Sequence, residues 1–151
     1  MIVKSTQVAT LIEEAEIEER NYNWQKAARL YEQAAKLFSE NKMLEDAART
    51  YVKFGDICIR AVKASKIKEE YLNWTSQSIK AFHMAENFFI QSNNELLSME
   101  CKARALNAMS YTITSIEKGR DALKKSINVC LELIKIYSTK KDKNNLINLS
   151  I

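Results

Sequence analysis

Apolar residues recur at intervals of three and four along most of the chain, which is the period of one face of an α-helix. This pattern predicts helical segments at about residues 6–20, 24–40, 44–64, 67–91, 95–115 and 120–138. A seventh, incomplete helix is predicted from the apolar positions Leu146, Ile147, Leu149 and Ile151. Short polar stretches at 21–23 and 92–94 form turns, and no linker or change of composition divides the chain. The sequence therefore predicts an all-α protein of six to seven helices in a single domain over residues 1–151.

The second and third segments carry the strongest helical pattern. Alanine pairs recur at seven-residue spacing, with Ala27-Ala28 and then Ala34-Ala35 on the second segment. Such pairs lower the surface of a helix, so that a neighbouring helix can approach closely. Gly55 lies inside the third segment, where glycine costs up to about 1 kcal/mol relative to alanine. We expect a close helix crossing at Gly55.

The spacing of polar residues predicts several local contacts. Asn23 is placed to cap the second helix, since its side chain can accept a hydrogen bond from a backbone N–H. Two ion pairs at i,i+4 spacing are expected on the third helix, Glu45–Arg49 and Asp56–Arg60. The sixth segment is apolar over about half its circumference, so we expect it to be covered on more than one side.

Composition excludes several classes of protein. The chain has 151 residues with no proline and two glycines, whereas average usage would give about 8 prolines and about 11 glycines. Sheets with tight turns and phosphate-binding loops both need these residues. No apolar run approaches the length of a membrane-spanning helix, which takes about 18 residues.

Cysteine and histidine usage indicates a non-enzymatic protein without a cofactor. Cys58, Cys101 and Cys130 include no CxxC pair, which is typical of a reducing compartment and predicts a cytoplasmic location. Each is expected to pack among apolar neighbours as a small hydrophobe. His83 is the single histidine, so a multi-histidine metal site is excluded and a catalytic triad would have to use this residue.

One stretch resembles a known repeat family. Trp24-x2-Ala27-Ala28-x2-Tyr31, followed by Ala47-x3-Tyr51, has the spacing of the tetratricopeptide motif, although its closing proline is missing and the unit is nearer 40 to 50 residues. The chain resembles the tetratricopeptide-like family and, within it, the long-helix attachment proteins of the SNAP type. This resemblance implies a right-handed α-solenoid of antiparallel helix pairs whose faces bind other proteins. Attachment proteins are about twice as long, and the C-terminal end with which they engage a hexameric ATPase has no counterpart here.

The leading functional hypothesis is an interaction scaffold that binds a protein or peptide in a solenoid groove. Its candidate contact residues are the cations on the outer face of the third helix: Arg49, Lys53, Arg60 and Lys63. Each of these has an alternative interpretation as an ordinary solvent-facing residue.

Two alternative functions involve the C-terminal half of the chain. Residues 76–151 carry the whole formal net charge of +4, which could attract nucleic acid to a group of basic residues: Arg120, Lys124, Lys125, Lys140, Lys141 and Lys143. Only one aromatic residue, Tyr137, lies among them, which weakens this hypothesis. The apolar C-terminal end predicts self-association, contact with another subunit, or continuation into a longer array.

Overall fold

The computed structural model describes residues 2–112 and 116–149, and within these ranges the side chains of residues 5–112 and 120–141. The described residues form six α-helices, one 3₁₀ turn at Ser110–Thr112, and no strand. The helices are α1 (Ile2–Arg20), α2 (Trp24–Glu40), α3 (Leu44–Ala64), α4 (Lys68–Gln91), α5 (Glu95–Met109) and α6 (Ile116–Leu149). Each helix packs against the next along the chain. The all-α prediction is thus confirmed for the described part of the chain.

The predicted ends of the helices differ from the observed ends mainly in the C-terminal third of the chain. α5 ends at Met109 and passes into the 3₁₀ turn, instead of continuing to residue 115. The prediction of a separate seventh helix is wrong, because α6 runs without a break from Ile116 to Leu149. The polar stretch at 138–145 contains neither proline nor glycine, so it interrupts the apolar pattern without ending the helix. Ile151 lies outside the described residues.

Helices α2, α3 and α4 share one pattern of burial. Each buries residues at relative positions 0, 1, 4, 7 and 8, beginning at Ala27 in α2, Ala47 in α3 and Trp74 in α4. A helix buried at these positions presents a stripe broad enough to contact more than one neighbour. The small pairs Ala27-Ala28 and Ala47-Ala48 are fully buried, as their predicted role in close packing requires.

Gly55 lies at a close crossing of α3 and α4, as predicted. A Cβ atom built on Gly55 would lie 2.6–2.9 Å from three ring atoms of Phe82. Phe82 occupies the position in α4 that Gly55 occupies in α3, and its ring is 2% exposed. The missing side chain at Gly55 therefore makes room for the large one at Phe82.

Three of the turns between helices have the same geometry. Tyr22, Lys42 and Asn93 each adopt a left-handed backbone with φ near +60°. In the turn after α2, the N–H of Lys42 donates to the carbonyl of Ser39, and the N–H of Met43 donates to the carbonyl of Phe38. These two bonds define the Schellman motif, which is usually completed by glycine at the left-handed position. This glycine-poor chain uses larger residues there.

Asn23 occupies the N-cap position of α2, as predicted, but its side chain does not make the predicted capping hydrogen bond. Its Nδ2 instead donates to Glu18 Oε2 at 2.6 Å, and Lys26 Nζ reaches Glu18 Oε1 at the same distance. Hydrogen bonds from Lys26 and Asn23 hold the pKa of Glu18 below its usual value. The amide group of Asn23 is thus bonded to the end of α1 and not to the start of α2.

The three cysteines lie in two different environments. Cys58 and Cys101 are buried, as predicted, but Cys130 on α6 is exposed. The prediction fails at Cys130 because the described neighbours of α6, α5 and the 3₁₀ turn, leave one side of the helix uncovered. None of the described helices is long and apolar enough to cross a membrane.

Candidate interaction surface on α1 and α3

The predicted contact residues on α3 share one side of that helix, and two of them contact α1. Arg49, Lys53, Arg60 and Lys63 are separated by four, seven and three residues, which places them on one helix face. The structure brings two of them together on a carboxylate of α1. Lys53 Nζ lies 3.6 Å from Glu19 Oε2, and Arg60 Nη1 lies 3.7 Å from Glu19 Oε1. One acidic residue of α1 therefore holds two cations of α3.

Glu19 also links this surface to the core through Tyr31. The hydroxyl of Tyr31 donates to Glu19 Oε2 at 2.9 Å, and Tyr31 itself is 1% exposed. Burial raises the pKa of Tyr31, and the hydrogen bond to Glu19 raises it further, so the hydroxyl stays a donor over the ordinary pH range. We call Glu19, Tyr31, Lys53 and Arg60 the Glu19 cluster. Its contacts fix the relative positions of α1, α2 and α3.

Two aromatic residues adjoin the Glu19 cluster. The guanidinium carbon of Arg60 lies 5.4 Å from the centre of the Trp24 ring, within the range of a cation–π interaction. Tyr22 packs edge-to-face on Trp24 with 5.5 Å between ring centres. Tyr22 is 76% exposed and adopts a left-handed backbone, which is costly for a bulky residue. Sequence reasoning missed Tyr22, although an aromatic residue between two asparagines in a turn was a visible signal.

Two surface depressions meet at Tyr22. One has a volume of about 430 Å³ and is lined by Glu16, Glu19, Arg20, Tyr22, Lys53 and Arg60. The other, of about 470 Å³, lies between the start of α2 and the end of α3, and its walls include Trp24, Ala61, Ser65 and Trp74. The first is highly charged, with three basic and two acidic side chains, and the second includes two tryptophans. Together they form a surface that can contact both charged and aromatic groups.

The other two predicted contact residues lie outside the Glu19 cluster. Arg49 Nη2 bonds to Glu45 Oε1 at 2.7 Å, which confirms the predicted i,i+4 pair, and its guanidinium lies 5.9 Å from the centre of the Phe89 ring. Lys63 is exposed and takes no part in the contacts around Glu19. The predicted four-residue site is therefore divided.

The predicted Asp56–Arg60 pair is wrong, because each residue has a partner on another helix. Arg104 of α5 donates to Asp56 Oδ1 at 2.7 Å and also reaches Glu100 at 3.2 Å. Burial raises the pKa of Asp56 by more than the neighbouring cations lower it. Arg104 keeps a raised pKa, because Asp56 and Glu100 together outweigh its own burial. The Asp56–Arg104 contact joins α3 to α5, as the Glu19 cluster joins α1 to α3.

The basic residues predicted to bind nucleic acid all belong to α6. Arg120, Lys124, Lys125, Lys140 and Lys141 are exposed. The first and the last of them are 21 positions apart along the helix, which corresponds to about 32 Å, and the structure does not bring them into one cluster. The side chain of Lys143 lies outside the described residues, as do those of Leu146, Ile147 and Leu149 in the predicted self-association site.

No grouping of three or more His, Cys, Asp or Glu side chains that could hold a metal ion occurs among the described residues. His83 is half exposed, and its Nδ1 lies 3.3 Å from Glu86 Oε2 on the same helix.

Comparison with protein-family models, with curated proteins and with solved structures finds no match. The resemblance to the tetratricopeptide-like family therefore remains a prediction.

Proposed function

We propose that the chain is a non-enzymatic interaction scaffold, built as a right-handed α-solenoid, that binds a protein or peptide at the surface around Tyr22. The observation that carries this proposal is the exposed ring of Tyr22, packed on the half-buried Trp24 beside the cations Lys53 and Arg60. Exposed aromatic and arginine side chains are the residue types most enriched at the energetic centres of protein interfaces.

The solenoid part of the proposal is supported by ion pairs that reach between alternate helices. When antiparallel helix pairs stack in one direction, each helix lies close to the helix two places further along the chain. Glu19 joins α1 to α3 through Lys53, and Asp56 joins α3 to α5 through Arg104. The shared burial pattern of α2, α3 and α4 and the three similar turns also agree with a repeated unit.

The proposed site is tested by binding experiments on matched surface variants. Tyr22→Ser removes the exposed ring, and the double variant Lys53→Gln/Arg60→Gln removes the two cations. Both should weaken capture of a partner identified with the wild-type chain by about tenfold or more. Lys36→Gln/Lys80→Gln, which changes exposed lysines of α2 and α4, is the control and should leave capture unchanged. Equal capture by all variants with native circular dichroism would show that this surface is not the binding site.

The alternatives remain predictions and have their own tests. Nucleic-acid binding by α6 requires an affinity that falls steeply with salt concentration, and labelled RNA or DNA that does not shift at low salt would exclude it. No described group of side chains favours an enzymatic reaction. A cytoplasmic location is proposed on the basis of the unpaired thiols alone.

A further inference from the structure

One side of α6 exposes a regular line of apolar side chains. Five of its residues follow one another at spacings of four, three, four and three, and we call them the α6 seam: Leu123, Ile127, Cys130, Ile134 and Tyr137. Its four large members are between 42% and 60% exposed, and Leu131 beside them is 52% exposed. No other described helix exposes as many large apolar residues.

The exposure of the α6 seam is not a consequence of a loosely attached helix. The adjoining side of α6 is packed on α5, with Ala122, Ser126 and Leu133 all buried. Ser126 Oγ also donates to the carbonyl oxygen of Ala103 on α5 at 3.1 Å. α6 is therefore held in place by α5, and the seam is a fixed surface.

The spacing of the α6 seam indicates the shape of its occupant. Alternation of four and three residues is the heptad pattern with which one helix packs against another in a coiled coil. From Leu123 to Tyr137 the seam is about 21 Å long, which matches four turns of a partner helix. A membrane surface would be served by a broad apolar face and does not require this alternation.

The charges around the α6 seam indicate the chemistry of that helix. Arg120 and Lys141 continue the seam at its two ends by the same spacing, and Lys124 and Lys135 follow one edge of it. The two described acidic residues of this segment, Asp121 and Glu132, lie on the opposite side of α6 by helical spacing. A partner helix would therefore meet basic residues at both ends and along one edge.

A second copy of the chain fits this surface poorly. Two α6 seams packed in parallel would place Lys141 opposite Lys141 and Arg120 opposite Arg120. An antiparallel pair centred near Cys130 would place Arg120 of each copy opposite Lys141 of the other. Like charges meet at both ends in either orientation, and such pairs oppose association.

We propose that the α6 seam is a docking site for an amphipathic helix of a partner protein that is acidic along the edges of its apolar face. This inference rests on the proposed function as an interaction scaffold, but it places this contact on a surface separate from Tyr22 and the Glu19 cluster. The partner helix would cover the exposed apolar residues and pair its carboxylates with the surrounding cations.

Cys130 provides a direct measure of occupancy, because it lies in the middle of the seam. Burial raises the pKa of Cys101 to about 12 and also raises the pKa of Cys58, so both are poor nucleophiles at neutral pH. A thiol reagent such as dithionitrobenzoate should therefore modify the exposed Cys130 first. A helix bound along the seam should slow that reaction.

The probe is a synthetic 21-residue helical peptide with leucine at the heptad core positions and glutamate at the flanking positions. It should slow modification of Cys130 in proportion to its occupancy and bind more weakly as salt is raised. Two matched peptides, one with lysine in place of glutamate and one with serine in place of leucine, should give little protection.

Protein variants show whether the protection arises at the seam. Ile127→Gln/Ile134→Gln should raise the dissociation constant of the acidic peptide by at least about tenfold, and Lys124→Glu/Lys135→Glu should do the same. Ile67→Gln/Ile90→Gln is the control, since these isoleucines are 56% and 55% exposed at the start and end of α4. All four substituted positions on α6 are exposed, so native folding is expected and is checked by circular dichroism.

Several outcomes would overturn the proposal. One is equal protection of Cys130 by the acidic and lysine peptides. Another is protection of Cys130 by phosphatidylserine vesicles or by duplex RNA but not by the acidic peptide. The third is a dimer, seen by light scattering, that becomes a monomer in Ile127→Gln/Ile134→Gln. None of these results would bear on the Tyr22 surface, whose own variants test the proposed function separately. Loss of partner capture in the Tyr22 and Lys53/Arg60 variants, with the peptide still bound at the seam, would support both sites.

Discussion

Replacing Gly55 with alanine separates two opposing effects at the crossing of α3 and α4. Alanine is favoured over glycine inside a helix by up to about 1 kcal/mol, so helix propensity alone predicts a more stable protein. The structure predicts the reverse, because the new Cβ would lie 2.6 Å from the nearest ring atom of Phe82. The sign of the stability change therefore shows which of the two effects is larger.

The size of the effect follows from the space around Phe82. Ordinary carbon contacts are about 3.5–4.0 Å, so the ring or the helices must move by about 1 Å. The ring of Phe82 is 2% exposed and packs against Ala105 and Ala108, both fully buried, so little free space is available. Overpacking of this kind costs about 1–3 kcal/mol, and after the gain of about 1 kcal/mol in propensity we expect a net loss of up to about 2 kcal/mol.

The assay is urea unfolding followed by circular dichroism and tryptophan fluorescence. Gly55→Ala should lower the midpoint at an unchanged slope, and the melting temperature should fall by up to about 8 °C. In a Phe82→Leu background the same substitution should be neutral or stabilising, because the ring atoms are gone. Asn87→Ala, at an exposed position of α4, controls for propensity and should be slightly stabilising. A Gly55→Ala variant more stable than the wild type would refute the reasoning.

Three further predictions concern single contacts and are checked by urea unfolding. Lys42→Gly should stabilise the protein by about 1 kcal/mol by relieving a left-handed backbone, whereas Lys36→Gly inside α2 should cost about 1 kcal/mol. Tyr31→Phe should cost about 1.5–3 kcal/mol through loss of its hydrogen bond to Glu19; an unchanged stability would contradict that bond. The pKa of Asp56 is raised in the folded protein. The free energy of unfolding therefore falls as pH rises from the unfolded-state pKa of this carboxyl through its folded-state pKa. The stability of Asp56→Asn should therefore rise relative to that of the wild type as pH increases from 3 to 7. A fall in its relative stability would contradict the raised pKa of Asp56.

The helices could be predicted from the sequence because their signal is local. α2 and α3 begin and end where the periodicity of their apolar residues predicts, and the small side chains at Ala27, Ala47 and Gly55 correctly indicated close packing. The failure at α6 is of another kind. A polar stretch without proline or glycine breaks the apolar pattern but leaves the helical backbone intact, so pattern alone cannot place a helix end there.

The candidate site could be predicted only in part because its contacts join distant parts of the chain. Local spacing correctly gave Glu45–Arg49, whose partners are one turn apart. It failed for Asp56 and Arg60, since Arg104 lies 48 residues from Asp56 and Glu19 lies on α1. A better-placed partner on another helix replaces the local pair, and one sequence does not reveal which helix will lie there.

α1 and α6 differ in a way that bears on where a partner can bind. The proposed solenoid would need polar outer faces on its uncovered helices to remain soluble. α1 meets this condition, because its outward positions include Thr10, Glu13 and Glu14, and Ile17 is its one exposed large apolar residue among the described side chains. α6 has an apolar surface as broad as that of an inner helix, but α5 covers only part of it. The α6 seam is the part left uncovered, and packing by one more helix would give α6 the two-sided burial of α2, α3 and α4.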